Sequence, residues 1–156
     1  IFHDTEWSGH ILEHTQMGLW AMVTDRSMSR AGMYVDRTMA WLLGLKEELE
    51  PEACFEFWYG RINRGNYVYV NEAMQRILAA DKLCEIQYTW NHPEWGDMLV
   101  RCAGRSRQME DGRVLITGYH QNMGILDQMM RWPLYIGGQE IFEYNINTRT
   151  ALVYTE

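Results

Sequence analysis

The stretch CEIQYTWNHPEWGDMLVRCAGRSRQMEDGRVLITGYHQN, residues 84–122, decides the fold. In its first part Cys84, Ile86, Tyr88 and Trp90 alternate with Glu85, Gln87 and Thr89. A period of two puts the apolar side chains on one face of a half-buried strand. The segment Asn91-His92-Pro93-Glu94-Trp95-Gly96-Asp97 reads as a turn, followed by a second strand over 98–105. Glu110-Asp111-Gly112-Arg113 reads as another turn, before a third strand over 114–120. The Asp-Gly pair is a strong hairpin signal, because glycine adopts positive φ without steric cost. Three antiparallel strands with one covered face are therefore expected.

Upstream, Trp7, Ile11 and Leu12 share one face of a weakly amphipathic helix over 5–15, which Gly18 ends. Strands are expected over 19–23 and 32–35. Asp36 can cap the next helix by accepting its free amides, and Gly44 stands where a left-handed C-cap is wanted. Between them Met39, Leu42 and Leu43 line one face. A polar, acidic connector from Lys46 to Glu52 leads to the aromatic cluster Phe55, Phe57, Trp58 and Tyr59. From Tyr67 to Ala80 the residues Val70, Met74, Ile77 and Leu78 give the best helical pattern of the chain. Downstream, a short helix with Ile125, Leu126, Met129 and Met130 stops before Pro133, and a hairpin spans 140–154 with its turn at 147–150.

The bulk composition excludes several classes. With 156 residues, 47% hydrophobic and 13% aromatic, one packed domain is affordable and disorder is not expected. The 14 basic residues are spread evenly against 21 acidic ones, for a net charge of -7. No basic stripe exists to neutralise phosphates, so nucleic acid is not an expected partner, and an acidic surface does not attract anionic lipid. No apolar run approaches the roughly 20 residues that span a bilayer. Cys54, Cys84 and Cys102 are scattered and odd in number, which suits free thiols in a reducing, cytoplasmic compartment. A chain that opens on Ile1 and stops in mid-pattern at Glu156 reads as a piece of a longer protein, which could itself be membrane-associated.

The order strand, strand, helix, aromatic connector, helix and three antiparallel strands resembles a PAS sensor domain of the PAS-3 type with its PAC motif, as found in bacterial signalling proteins. The resemblance rests on Gly18-Leu19-Trp20, on Leu43-Gly44, on Glu85 to Tyr88 and on the Asp111-Gly112-Arg113 turn, and it covers about residues 10–124. It implies an α+β PAS fold: an antiparallel five-stranded sheet with short helices on one face and an N-terminal helix. The family's closing Asp-Ile-Thr pattern, thought to couple the sheet to a signalling helix, is absent. Asn122 stands in place of the carboxylate and Gly124 in place of the hydroxyl residue. The implied organisation is an N-terminal helical segment (1–17), the PAS domain (18–122), a connector helix or linker (123–136) and a terminal hairpin (137–156). That hairpin is read as the start of a second PAS domain, with an extra hairpin of the first domain as the alternative.

The resemblance implies a sensory or regulatory module of a multidomain signal-transduction protein, of the histidine kinase or diguanylate cyclase type. A homodimer and a downstream output domain in the same chain would be its partners. The alternative is a ligand-free module for dimerisation or protein interaction, with Trp7, Ile11 and Leu12 as its apolar seam. No nucleophile–base set, zinc-protease motif or phosphate loop is present, so no enzyme activity is expected of this chain. Haem is not expected, because the helix over 67–80 lacks a histidine. Flavin is not expected, because Ala53-Cys54-Phe55-Glu56-Phe57 lacks the Asn, Arg and Gln that flavin would need.

His10 and His14 have metal-ligand spacing without a third ligand and read as solvated. His92 reads as an exposed turn residue. His120 reads as a structural residue facing the interior or the helix interface. Met adapts to irregular cavities and aromatics line small-molecule pockets. A small-molecule pocket would be lined by Trp20, Met22, Tyr34, Trp41, Phe57, Trp58, Ile86, Tyr88, Met98 and Tyr119. The competing reading is that these residues fill the core and leave no cavity.

Overall fold

A computed structural model describes residues 5–80, 82–125, 141–145 and 150–154. In chain order it contains α1 (Thr5–His14), β1 (Met17–Thr24), β2 (Ala31–Val35), α2 (Arg37–Leu42), α3 (Pro51–Tyr59), a 3-10 turn (Arg64–Asn66) and α4 (Tyr67–Ala79). β3 (Cys84–His92), β4 (Gly96–Gln108), β5 (Val114–Ile125), β6 (Ile141–Asn145) and β7 (Thr150–Tyr154) follow. The first five strands form one antiparallel sheet in the order β2-β1-β5-β4-β3, while β6 and β7 pair in a sheet of their own. Met39 of α2 and Leu43 at its C-cap, Cys54 and Trp58 of α3, and Val70, Met74 and Ile77 of α4 pack with Trp20, Met22, Ile86 and Tyr88 of the sheet in one core. The helices therefore cover one face, as expected. α1 lies against β1 and α2.

Local chemistry explains most of these elements. Asp36 caps α2, its side chain accepting from the Met39 amide at 2.7 Å and from the Leu19 amide of β1 at 3.1 Å. Gly44, at φ +70°, ends the helix. The Gly44 amide donates to Trp41 O and the Leu45 amide to Ala40 O, the pair of bonds that defines a Schellman cap. On β3 the even residues Ile86, Tyr88 and Trp90 are buried and Glu85 and Gln87 are exposed, as the alternation requires. The outer edge of β3 is covered by the chain between α3 and α4. The Asn63 amide donates to Thr89 O at 3.0 Å, the Asn91 amide to Arg61 O at 2.8 Å, and the Thr89 amide to the buried Asn66 Oδ1 at 3.0 Å. A covered edge cannot template pairing with another chain.

Four expectations need correction. Gly18 does not end α1; it lies inside β1, where a Cβ would stand 2.5 Å from Met39 Cα, so it permits α2 to sit on the strand. The reversal after α1 is made at Gln16, at φ 52°. The aromatic connector is in part the helix α3, with Pro51 at its first turn, where a missing N–H costs nothing. All three long strands also run past their expected ends, so the first turn shrinks to Pro93, Glu94 and Trp95. Finally, β5 continues through the first three residues assigned to a connector helix. The rest of that connector, 126–136, lies outside the described residues.

Candidate functional site

The inner face of the sheet is organised around Trp20. The register aligns Val35, Trp20, Gly118, Gly104 and Cys84 in one row across the five strands. The two glycines are the floor on which the indole lies. A Cβ on Gly104 would stand 2.9 Å from Trp20 Cη2, and one on Gly118 would stand 2.6 Å from Trp20 Cζ2. Under the helices the ring leaves an apolar cavity of only about 20 Å³, bordered by Met22, Met33, Trp58, Met74, Ile86 and Cys102 among others. That is room for about one water molecule.

A chain of polar groups runs beside this cavity. Trp58 Nε1 donates to the Tyr88 hydroxyl at 2.8 Å, and Trp90 Nε1 donates to Trp58 O at 2.9 Å. Burial raises the Tyr88 hydroxyl well above its ordinary range. It also pushes the Cys102 thiol up to about 12, although the Trp20 N–H and the Tyr88 hydroxyl beside it pull the other way. The Cys54 thiol is likewise raised by burial. These thiols stay protonated at neutral pH and are not activated nucleophiles.

Further along the same face, His120 is fully buried, with Nε2 3.0 Å from Asn122 Oδ1. The Asn122 amide in turn reaches Met98 Sδ at 3.6 Å. Burial lowers the His120 pKa to about 4, against the opposing pull of Asn122, so the ring is neutral near pH 7.

The ten pocket candidates divide into inner and outer groups. Trp20, Met22, Trp58 and Ile86 border the small cavity, and Tyr88 and Met98 are buried elsewhere in the same core. Tyr34 does not belong inside: it points away from the inward-facing Met33 and is 55% exposed. Trp41 is off the face that Thr38, Met39 and Leu42 turn to the sheet, is equally exposed, and packs edge-on to Trp95 at 5.7 Å. Tyr119 is one residue from inward-facing His120 and so lies on the outer face, hydrogen-bonded to Glu85. Phe57 is half-buried at a surface groove, under the Arg61 guanidinium at 4.7 Å.

His92 is buried, not exposed. The parity that makes Ile86, Tyr88 and Trp90 inward extends to it once β3 is long enough. Parity with Ile116 also assigns His120 to the interior. His10 and His14 are exposed, with His10 Nδ1 3.9 Å from Glu13. Among the described residues no three His, Cys, Asp or Glu side chains cluster as a metal site. No described helix is long and apolar enough to cross a membrane.

No protein-family model matches the chain, and no curated protein does. Solved structures do. A sensory box histidine kinase/response regulator from Burkholderia thailandensis superposes with a TM-score of 0.60 at 14% identity, covering 84% of this chain and 94% of that one. The domain of a putative light and redox sensing histidine kinase from Haloarcula marismortui gives 0.56 at 15% identity, over 76% of this chain and 99% of that one. The PAS-B domain of Drosophila melanogaster Cycle gives 0.51 at 8% identity, over 67% and 99%. With its sheet order, its helices on one face and these likenesses together, the chain has the PAS fold.

Proposed function

We propose that the chain is a sensory and regulatory module of a larger signal-transduction protein, of the histidine kinase or diguanylate cyclase type, without a catalytic set of its own. The observation that carries this reading is the β2-β1-β5-β4-β3 sheet with its one-sided helical cover, an arrangement similar to domains of sensory histidine kinases. Fold alone does not assign function. In the intact protein, Met123→Asp at the exposed end of the sheet should change kinase or cyclase output while the domain stays folded. Unchanged output from a folded variant would overturn the proposal.

Within that reading the interior works as a filled core, because the Trp20 ring occupies the space a small-molecule ligand would need. The module then acts through its surfaces. Leu19, Tyr34 and Met123 are exposed apolar residues on strands of the sheet, which supports homodimerisation through its outer face. The separate pairing of β6 with β7 supports the assignment of 137–156 to the first hairpin of a second PAS domain. Native mass spectrometry of the purified chain tests the filled core and the dimer. A dimer of bare polypeptide mass is expected; a stoichiometric small molecule would refute the filled core, and a monomer at micromolar concentration would refute the dimer.

A further inference from the structure

His92 is the last residue of β3, and its imidazole is built into the turn that leads to β4. Nδ1 accepts both the Glu94 and the Trp95 backbone amides, each at 3.1 Å. The ring lies flat on Trp95, with centroids 4.1 Å apart and planes 8° from parallel, and edge-on to Trp90 at 6.0 Å. On its other side Nε2 abuts Gly44, where a Cβ would stand 2.8 Å away. The turn is tied to the same region by two further contacts: Trp95 packs on Trp41 of α2, and Glu94 pairs with Lys46. One imidazole thus joins the β3–β4 turn to the C-terminal end of α2.

A nitrogen that accepts two amide bonds must present its lone pair, so the proton of the neutral ring resides on Nε2. A second proton can go only to Nδ1, where it would face two N–H donors in place of the bonds it destroys. The resulting cation finds no acceptor at Nε2, which is buried without a hydrogen-bond partner among the described residues. The charged groups around the ring are Glu94 on the turn, which favours the cation, and Lys46 after α2 and Arg61 after α3, which oppose it. His120 of β5 lies beyond Trp90, edge-on at 6.4 Å. Burial is the largest influence and holds the His92 pKa below its ordinary value.

We propose that this turn is an acid-released clasp: protonation of His92 Nδ1 frees the Glu94 and Trp95 amides, releases Trp95 from Trp41, and detaches the β3–β4 turn from α2 while the five-stranded sheet stays folded. The clasp does not depend on the sensory assignment. A released turn separates the surface pair Trp41 and Trp95 and loosens the helix that packs under β1, so a change in proton activity becomes a change in surface.

Amide hydrogen exchange of the full chain, read residue by residue from about pH 7.5 to about pH 4.5, brackets the ordinary histidine value and tests the idea. Protection factors at Glu94 and Trp95 should fall by up to about tenfold per pH unit as pH drops from the ordinary histidine value toward the lowered folded one, while Val100 and Ile116 keep theirs. His92→Asn supplies a non-titrating acceptor at the position of Nδ1 and should give pH-independent protection at both amides. The idea is refuted if the variant follows the wild-type profile. It is equally refuted if core amides are lost in the same step, or if Glu94 and Trp95 stay protected while His92 titrates. Nitrogen chemical shifts of the wild-type ring give a check that needs no variant. A lone pair on Nδ1 at neutral pH is expected, and a proton there overturns the proposal.

Discussion

Replacing Trp20 by alanine removes the ring that fills the interior, and the structure sets the size of the loss. Trp20 is 6% exposed and lies on Gly104 and Gly118, with no larger side chain in that row able to swing into its place. An indole buries on the order of 200 Å², worth about 5 kcal/mol at ~25 cal/mol per Å². Against this, buried Trp20 Nε1 has no partner beyond the weakly accepting sulfur of Cys102, and deleting so poorly satisfied a donor returns ~1–3 kcal/mol. The net expectation is a loss of about 3 kcal/mol, at the low end of the range for such truncations.

Urea denaturation reads this directly: the midpoint should fall with little change in slope. Because glycines cannot close over the space, the variant should retain a cavity that free indole can enter. Indole at tenfold over its dissociation constant should then restore ~1.4 kcal/mol. A loss below about 1 kcal/mol would mean the ring does not fill the core. A full loss without rescue by indole would mean that the helices collapse onto the sheet, and the rigid-floor reasoning would be wrong.

Three further outcomes follow from the same geometry. His120 has a folded pKa of about 4 against an ordinary value near 6.5, so its neutral form is the one that stabilises the fold. That contribution is fully present above about pH 6.5 and is lost as pH falls toward 4, about 3 kcal/mol in all. Thermal melts at stepped pH should show the decline, flattened in His120→Gln; equal slopes would count against it. Gly118→Ala puts a Cβ 1.9 Å from Ala103 O, a backbone atom that cannot yield without breaking the β4–β5 ladder. The variant should fail to give a cooperative melt, and a melting temperature within a few degrees of wild type would contradict the close approach. Asp36→Ala loses the acceptor of the Met39 and Leu19 amides and should cost about 1–2 kcal/mol in denaturant titration.

The parts of this fold that were legible in the sequence are those where one residue type has one local use. Asp36 and Gly44 bracket α2 because a carboxylate caps amides and a glycine tolerates positive φ. The alternation from Cys84 to Trp90 marks β3 for the same kind of reason. α3 was obscured because Phe55, Phe57, Trp58 and Tyr59 are too dense to show a period, leaving Pro51 as the only usable start signal. Tyr34, Trp41 and Tyr119 were drawn into the pocket by their apolar character, although the parity of β2 and β5 and the period of α2 turn all three outward. Residue type says what a side chain can line; position within the element says whether it gets there.

The interior poses the same question at the level of tertiary structure, and the end of β5 answers it most sharply. A chain rich in Met and Trp is compatible with a lined cavity or a filled core. Only the register that sets Gly104 and Gly118 beside Trp20 makes it a core. Two rows further on, the same register sets Asn122 where the PAS pattern it resembles has a carboxylate. Asn122 pairs with a neutral, fully buried His120, where an aspartate would bring an unscreened charge into the core and favour the imidazolium. Beyond it Leu99 pairs with Gly124 and Val100 with Asn122, so Met123 is the extra residue of a β-bulge, and Gly124 takes φ +148° to accommodate it. Asn122 and Gly124 are therefore one adaptation: a neutral buried pair followed by a glycine-relieved bulge that carries β5 on to Ile125. Under the proposed sensory reading, a signal would leave along a bent strand anchored by an uncharged His–Asn pair, where the PAS pattern has a charged residue at the end of the sheet.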